Sequence, residues 1–211
     1  MKTNAKDRIL KLVQLAILTA LVVVMQALGS FIKIGPLPMS FVLVPIVIGA
    51  CLLGPKHGAF LGFVFGLITM IMGVTGLDPI SLLLFEANPI MFVLLCLLKA
   101  TLAGFVSGLI YSLLGKAFDG TKKTLQTVLA SIAAPIVNTG IFVVGMLIFF
   151  LPTMEALPSM FPEVFGGYEN AVRLVVFGLA GFNFVGEFVV NLVLSPAIVR
   201  IIDVVKKKLH F

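Results

Sequence analysis

The sequence predicts an all-α integral membrane protein, a six-transmembrane-helix bundle forming one domain over residues 1–211 with both termini cytoplasmic. Three observations carry this. Hydrophobic residues make up 60% of the chain and charged residues only 11%, where an ordinary soluble domain is about 25% charged. Read in windows of the roughly 20 residues that a helix needs to cross a bilayer, the chain gives six apolar segments, at about 9–31, 41–55, 58–76, 88–115, 125–151 and 171–203. Finally, placing both ends inside puts 12 of the 15 Lys and Arg residues at cytoplasmic ends and short loops, as the positive-inside preference requires. Runs such as LAILTALVVVM lack the two-residue alternation of a membrane-barrel strand, so the spans are helices.

Taken in order, the first segment is too long for a signal-peptide core and has no small-residue cleavage site, so it is a retained helix. Its AILTA places Ala16 and Ala20 one turn apart. The second segment is short and contains Pro45, which predicts an oblique or kinked crossing. In the third, Gly58, Gly62 and Gly66 form a stripe, matched on the fourth by Gly104 and Gly108. Small residues let helix backbones approach closely in lipid, so these stripes predict tight packing inside the bundle.

Outer loops are expected at 32–40, 77–87 and 152–170, with Asp78, Glu86, Glu155, Glu163 and Glu169 on that side. The last loop is long for a bundle connection and holds three prolines with Phe161, Phe165 and Tyr168. It reads either as a partly structured lid or as an undedicated loop.

Within the apolar segments the exceptions are polar. Asn183, Glu187 and Asn191 recur at steps of four in FNFVGEFVVN and share one helix face. Lys99 lies about eleven residues into the fourth segment, Asn138 interrupts the fifth and Asn88 opens the fourth. Ionisable groups at membrane depth are costly and face a cavity or a partner, so these groups converge in the interior. Glu187 and Lys99 either neutralise each other as a structural pair or join Asn183, Asn138 and Asn88 in contacting a ligand; Asn191 lies deeper and reads as structural.

Other functions find little support. No HExxH, GxSxG or GxxxxGK[ST] motif occurs, and His57 and His210 sit far from any interior site, so no catalytic or metal-binding constellation is present. Cys51 and Cys96 lack CxxC spacing and read as small core residues. The net charge of +6 is spread as juxtamembrane groups facing membrane lipid, which argues against nucleic acid.

Six helices in about 200 residues, AILTA on the first, the turn GPLPMS and the run PIVIGACLLGPKHGAFLGFVFG together resemble the S-components, the substrate-capture subunits of energy-coupling factor (ECF) vitamin transporters. The likeness is strongest over residues 10 to 115. It implies a multi-pass protein of the cell membrane that captures a vitamin from outside and docks on a transmembrane coupling subunit driven by two ATPase subunits, toppling to release its cargo. It also implies no cofactor on this chain, ATP being used by the partners. Ala16 and Ala20 match the family's AxxxA docking motif, and the family's cavity lies between helices four to six under the outer loops. With no Trp and two Tyr, stacking platforms for a flat aromatic vitamin are few. A flexible hydroxylated acid needs amides and one cation, for which Lys99, Lys33 or Arg173 is available. Pantothenate is therefore the first expectation, with riboflavin, folate or a queuosine precursor as alternatives on the same scaffold. A stand-alone secondary transporter or channel is the alternative of another class, but no internal repeat supports it.

Overall fold

The computed structural model describes residues 5–29, 41–118 and 122–209; the 32–40 loop with Lys33 and GPLPMS lies outside them. The elements are all helical: α1 (Ala5–Gly29), α2 (Leu43–Leu53), α3 (Pro55–Val74), α4 (Pro79–Ala87), α5 (Pro89–Ala117), α6 (Lys123–Phe149), α7 (Leu151–Met160), α8 (Pro162–Phe165), α9 (Ala171–Arg173), a π-helical stretch Leu174–Gly181, and α10 (Phe182–Leu209). Among the described residues five stretches are long and apolar enough to cross a membrane, namely Asp7–Gly29, Pro55–Val74, Pro89–Ala117, Lys123–Phe149 and Ala171–Val205. The second expected segment is the short helix α2, whose 11 residues rise only about 16 Å.

Proline and glycine explain the corner after α2. Because α2 begins at Leu43, Pro45 falls in its first turn, where a missing N–H leaves no intrahelical bond unmade, so the expected kink has no cause there. Gly54 then takes φ 97°, a left-handed conformation that side-chain-bearing residues avoid, and Pro55 starts α3 at once.

The glycine stripes seat α3 against α5. A Cβ on Gly58 or Gly62 would run into the backbone carbonyl oxygens of Gly104 and Ala100, and one on Gly66 would lie 2.5 Å from the Cys96 carbonyl oxygen. Backbone cannot step aside as a side chain can. Gly62→Val is therefore expected to cost about 3 kcal/mol or more and to remove most monodisperse protein in detergent, whereas Gly140→Ala, which meets nothing within 4 Å, is expected to be silent. Size-exclusion profiles and melting curves of the two variants check this; a normal Gly62→Val profile would contradict it.

Two apolar clusters fill the interior. One, around Leu43, Ile46, Leu61 and Ile198, occupies the half of the bundle nearer the chain ends. The other, around Phe92, Met146, Phe150 and Leu174, occupies the opposite half and continues into a cap. Both connections expected as loops at that end are helical. Pro79 opens α4, and α7 buries Met154 and Leu157, one turn apart, with Phe165 of α8. The segment 152–170 is thus packed onto the bundle. At the other end Lys123 pairs with Asp203 at 3.4 Å, tying the start of α6 to the end of α10.

Candidate functional site

Between the two clusters lies the polar interior that the sequence pattern points to. Pro135 interrupts the hydrogen-bond ladder of α6 three residues before Asn138, and the π-helical stretch ends two residues before Asn183. Such irregular turns recur at functional sites. From Phe182 the chain is α-helical, and Pro196, the proline inside this helix, lies beyond all three residues, so Asn183, Glu187 and Asn191 keep one face.

Glu187 is 1% exposed. Its carboxylate accepts hydrogen bonds from Asn138 Nδ2 at 3.5 Å and from Asn183 Nδ2 at 3.4 Å, both at the long limit of such bonds. Asn191 Nδ2 donates to the Glu187 backbone carbonyl at 2.8 Å, a structural contact within the helix. Lys99 Nζ stands 4.9 Å from the centre of the Phe142 ring, within cation–π range. Among the described residues the ion pairs within 4 Å are Lys123 with Asp203 and Arg173 with Glu169, so Lys99 and Glu187 do not form a direct pair. They share a cavity instead.

That cavity, of ≈ 90 Å³, is lined by Gln26, Phe65, Thr69, Asp78, Ser81, Lys99, Asn138, Phe142, Asn183 and Glu187. A neighbouring space of ≈ 40 Å³ shares Lys99, Asn138, Phe142 and Asn183. The side-chain oxygens of Asn138 and Asn183 are buried here without a hydrogen-bond donor. A buried acceptor left unmade costs on the order of 1–3 kcal/mol, so these two oxygens favour a donor placed beside them. Larger apolar grooves of ≈ 350 and ≈ 370 Å³ flank α6 at Gly140; they offer a polar cargo almost no hydrogen bonds.

Four of the five substrate-contact residues expected from the sequence, Asn183, Glu187, Asn138 and Lys99, therefore converge. Asn88 does not join them. It caps α5, its side-chain oxygen accepting from the Met91 N–H at 3.2 Å, and Pro89 behind it marks the same role. Arg173 lies at the capped end, paired with Glu169 at 2.5 Å and exposed. Sequence reading missed Gln26, Thr69, Asp78 and Ser81. The isolated Gln26 near the end of an apolar run was the available signal, and Asp78, whose carboxylate accepts the Ser81 hydroxyl, was read only as an outer-loop charge. Ala16 and Ala20 are exposed on α1 among Leu12, Val13 and Ile17, on a face turned away from the bundle.

A family model for the substrate-specific component of ECF transporters matches residues 10–199. The chain belongs to this family. It is thus an S-component, a membrane-embedded member of a transporter family rather than an enzyme, which also speaks against a channel or a stand-alone secondary transporter. The S-component is 28% identical over 152 residues to the pantothenic acid transporter PanT of Lactococcus lactis subsp. cremoris (strain MG1363), covering 67% of this chain and 74% of that protein. Its fold matches a solved structure of ThiT from Listeria monocytogenes with a TM-score of 0.60 at 19% identity, over 91% of this chain and 94% of that one.

Proposed function

We propose that this S-component captures pantothenate from outside the cell and delivers it through a coupling subunit powered by two ATPase subunits. The observation that carries the substrate is the grouping of one ammonium, Lys99, with the two donorless amide oxygens of Asn138 and Asn183 in a buried cavity. Pantothenate offers a carboxylate to the first and hydroxyl or amide donors to the others. The likeness to a pantothenic acid transporter supports the same reading.

Orientation follows from charge. Lys56, Lys116, Lys122, Lys123 and Arg200 sit at the end where the chain terminates, while Asp78, Glu86, Glu155, Glu163 and Glu169 sit at the capped end. The positive-inside preference supports an orientation with the termini in the cytoplasm and the cap outside. Cavities for drug-sized ligands run from about 300 Å³ upward, so vitamin entry has to enlarge the ≈ 90 Å³ space. The elements free to yield are those of the cap, α4, α7 and α8, which rest on the bundle as short helices. The exposed face of α1 with Ala16 and Ala20 is the docking surface for the coupling subunit.

Two experiments test this. Calorimetry of the detergent-purified chain alone is expected to show saturable pantothenate binding, with riboflavin and folate giving no heat; the reverse pattern removes the substrate assignment. Uptake into cells is expected only when coupling and ATPase subunits are co-expressed. Uphill accumulation in liposomes containing this chain alone would contradict the division of labour.

A further inference from the structure

We propose that the cavity binds a second ligand, a proton, which Glu187 takes up from solvent as the anionic vitamin enters. The inference rests on the pantothenate reading above and deepens it. Among the described residues the charged groups lining the cavity are Asp78, between α3 and α4, Lys99 on α5, and Glu187 itself. From α1, α3 and α6 the facing polar groups are Gln26, Thr69 and Asn138, which do not titrate, and α2 carries no Asp, Glu, Lys, Arg or His. The thiols of Cys51 and Cys96 are buried and do not line the space.

With both carboxylates ionised these three groups carry a net charge of minus one. A monoanionic ligand would make it minus two. Like charges gathered in a low-dielectric interior repel strongly, and the usual relief is protonation of one of them. One proton taken up restores the starting charge.

Glu187 is the group placed to accept it. Asp78 is half-buried at the capped end and already receives the Ser81 hydroxyl. Glu187 is 1% exposed, has no cation within 4 Å among the described residues, and is held only by amide contacts of 3.4 and 3.5 Å. An ionised carboxylate so weakly compensated is expensive to bury. In the step itself an O–H bond forms at a Glu187 carboxylate oxygen with a proton from solvent, the vitamin stays a carboxylate against Lys99, and no other bond changes. The anion and the proton then bind as a neutral pair.

Calorimetry of pantothenate binding in phosphate and in Tris, whose ionisation heats differ, counts the protons. Between pH 7 and 8.5 the wild-type chain is expected to take up a net fraction rising toward one proton per pantothenate, with affinity falling toward tenfold per pH unit. Glu187→Gln is expected to flatten that slope, whatever its affinity. Pantothenate binding with no net proton uptake and a flat profile overturns the inference, as does an undiminished slope in Glu187→Gln. Should that variant fail to fold, the wild-type proton count still decides. Absence of pantothenate binding at every pH, with another vitamin binding instead, is a different failure: it removes the substrate assignment and this inference with it.

Discussion

Ala16→Trp and Ala20→Trp are each expected to abolish vitamin uptake by the assembled transporter while the isolated chain keeps its affinity for ligand. Both residues are exposed on the outward face of α1, far along the chain from the polar cavity's principal residues on α5, α6 and α10. An indole there meets no atom of the bundle interior, so folding and capture survive. What it blocks is close approach of a partner helix, which small residues permit and bulky ones prevent. Transport assays in cells expressing the partner subunits, beside calorimetry on the isolated variants, separate the two quantities. Normal uptake by both variants would show that the coupling subunit docks elsewhere.

The second large effect is expected at Lys99 and Asn183. Lys99→Met keeps the length and apolar stem of the side chain but withdraws the ammonium that the account assigns to the vitamin carboxylate. Hydrogen bonds to charged groups contribute about 1.5–3 kcal/mol, so affinity should fall roughly ten- to hundredfold. Asn183→Ala removes an acceptor and a weak donor to Glu187 together, with a loss of about 1–3 kcal/mol, roughly five- to hundredfold. Because Lys99 makes no direct ion pair in the bundle and protonation of Glu187 offsets the lost positive charge, the ligand-free melting temperature of Lys99→Met should fall only slightly near pH 6. A large drop in that temperature with affinity retained would make Lys99 a structural counter-charge instead.

Why some of this was legible in the sequence is a matter of which forces act locally. Long apolar spans announce themselves because lipid imposes both length and composition, and the glycine stripes announce packing because only small residues allow two backbones to touch. Steps of four placed Asn183 and Glu187 on one face, and α10 is regular enough from Phe182 to keep them there. The capping helices α4, α7 and α8 were read as loops because helices of 9, 10 and 4 residues have little intrinsic stability; burial of Met154, Leu157 and Phe165 holds the last two in place. Nor does the π-helical stretch have a sequence period to reveal it, although Gly178 leaves the space against which the Tyr168 ring packs. Polarity alone makes Asn88 a candidate ligand contact, whereas its place before Pro89 describes a helix cap. Asp78 and Ser81 both belong to the start of α4, and they meet Gln26 of α1 only through tertiary packing.

In the proposed function the cavity among Lys99, Asn138, Asn183 and Glu187 holds pantothenate. Native mass spectrometry of the full chain, purified gently from cells grown with pantothenate, tests it most directly. A bound species of pantothenate's mass is expected on the wild-type protein and is expected to be lost from the Lys99→Met, Asn183→Ala double variant; a different vitamin on the wild type, or pantothenate retained undiminished by the double variant, would rule this site out.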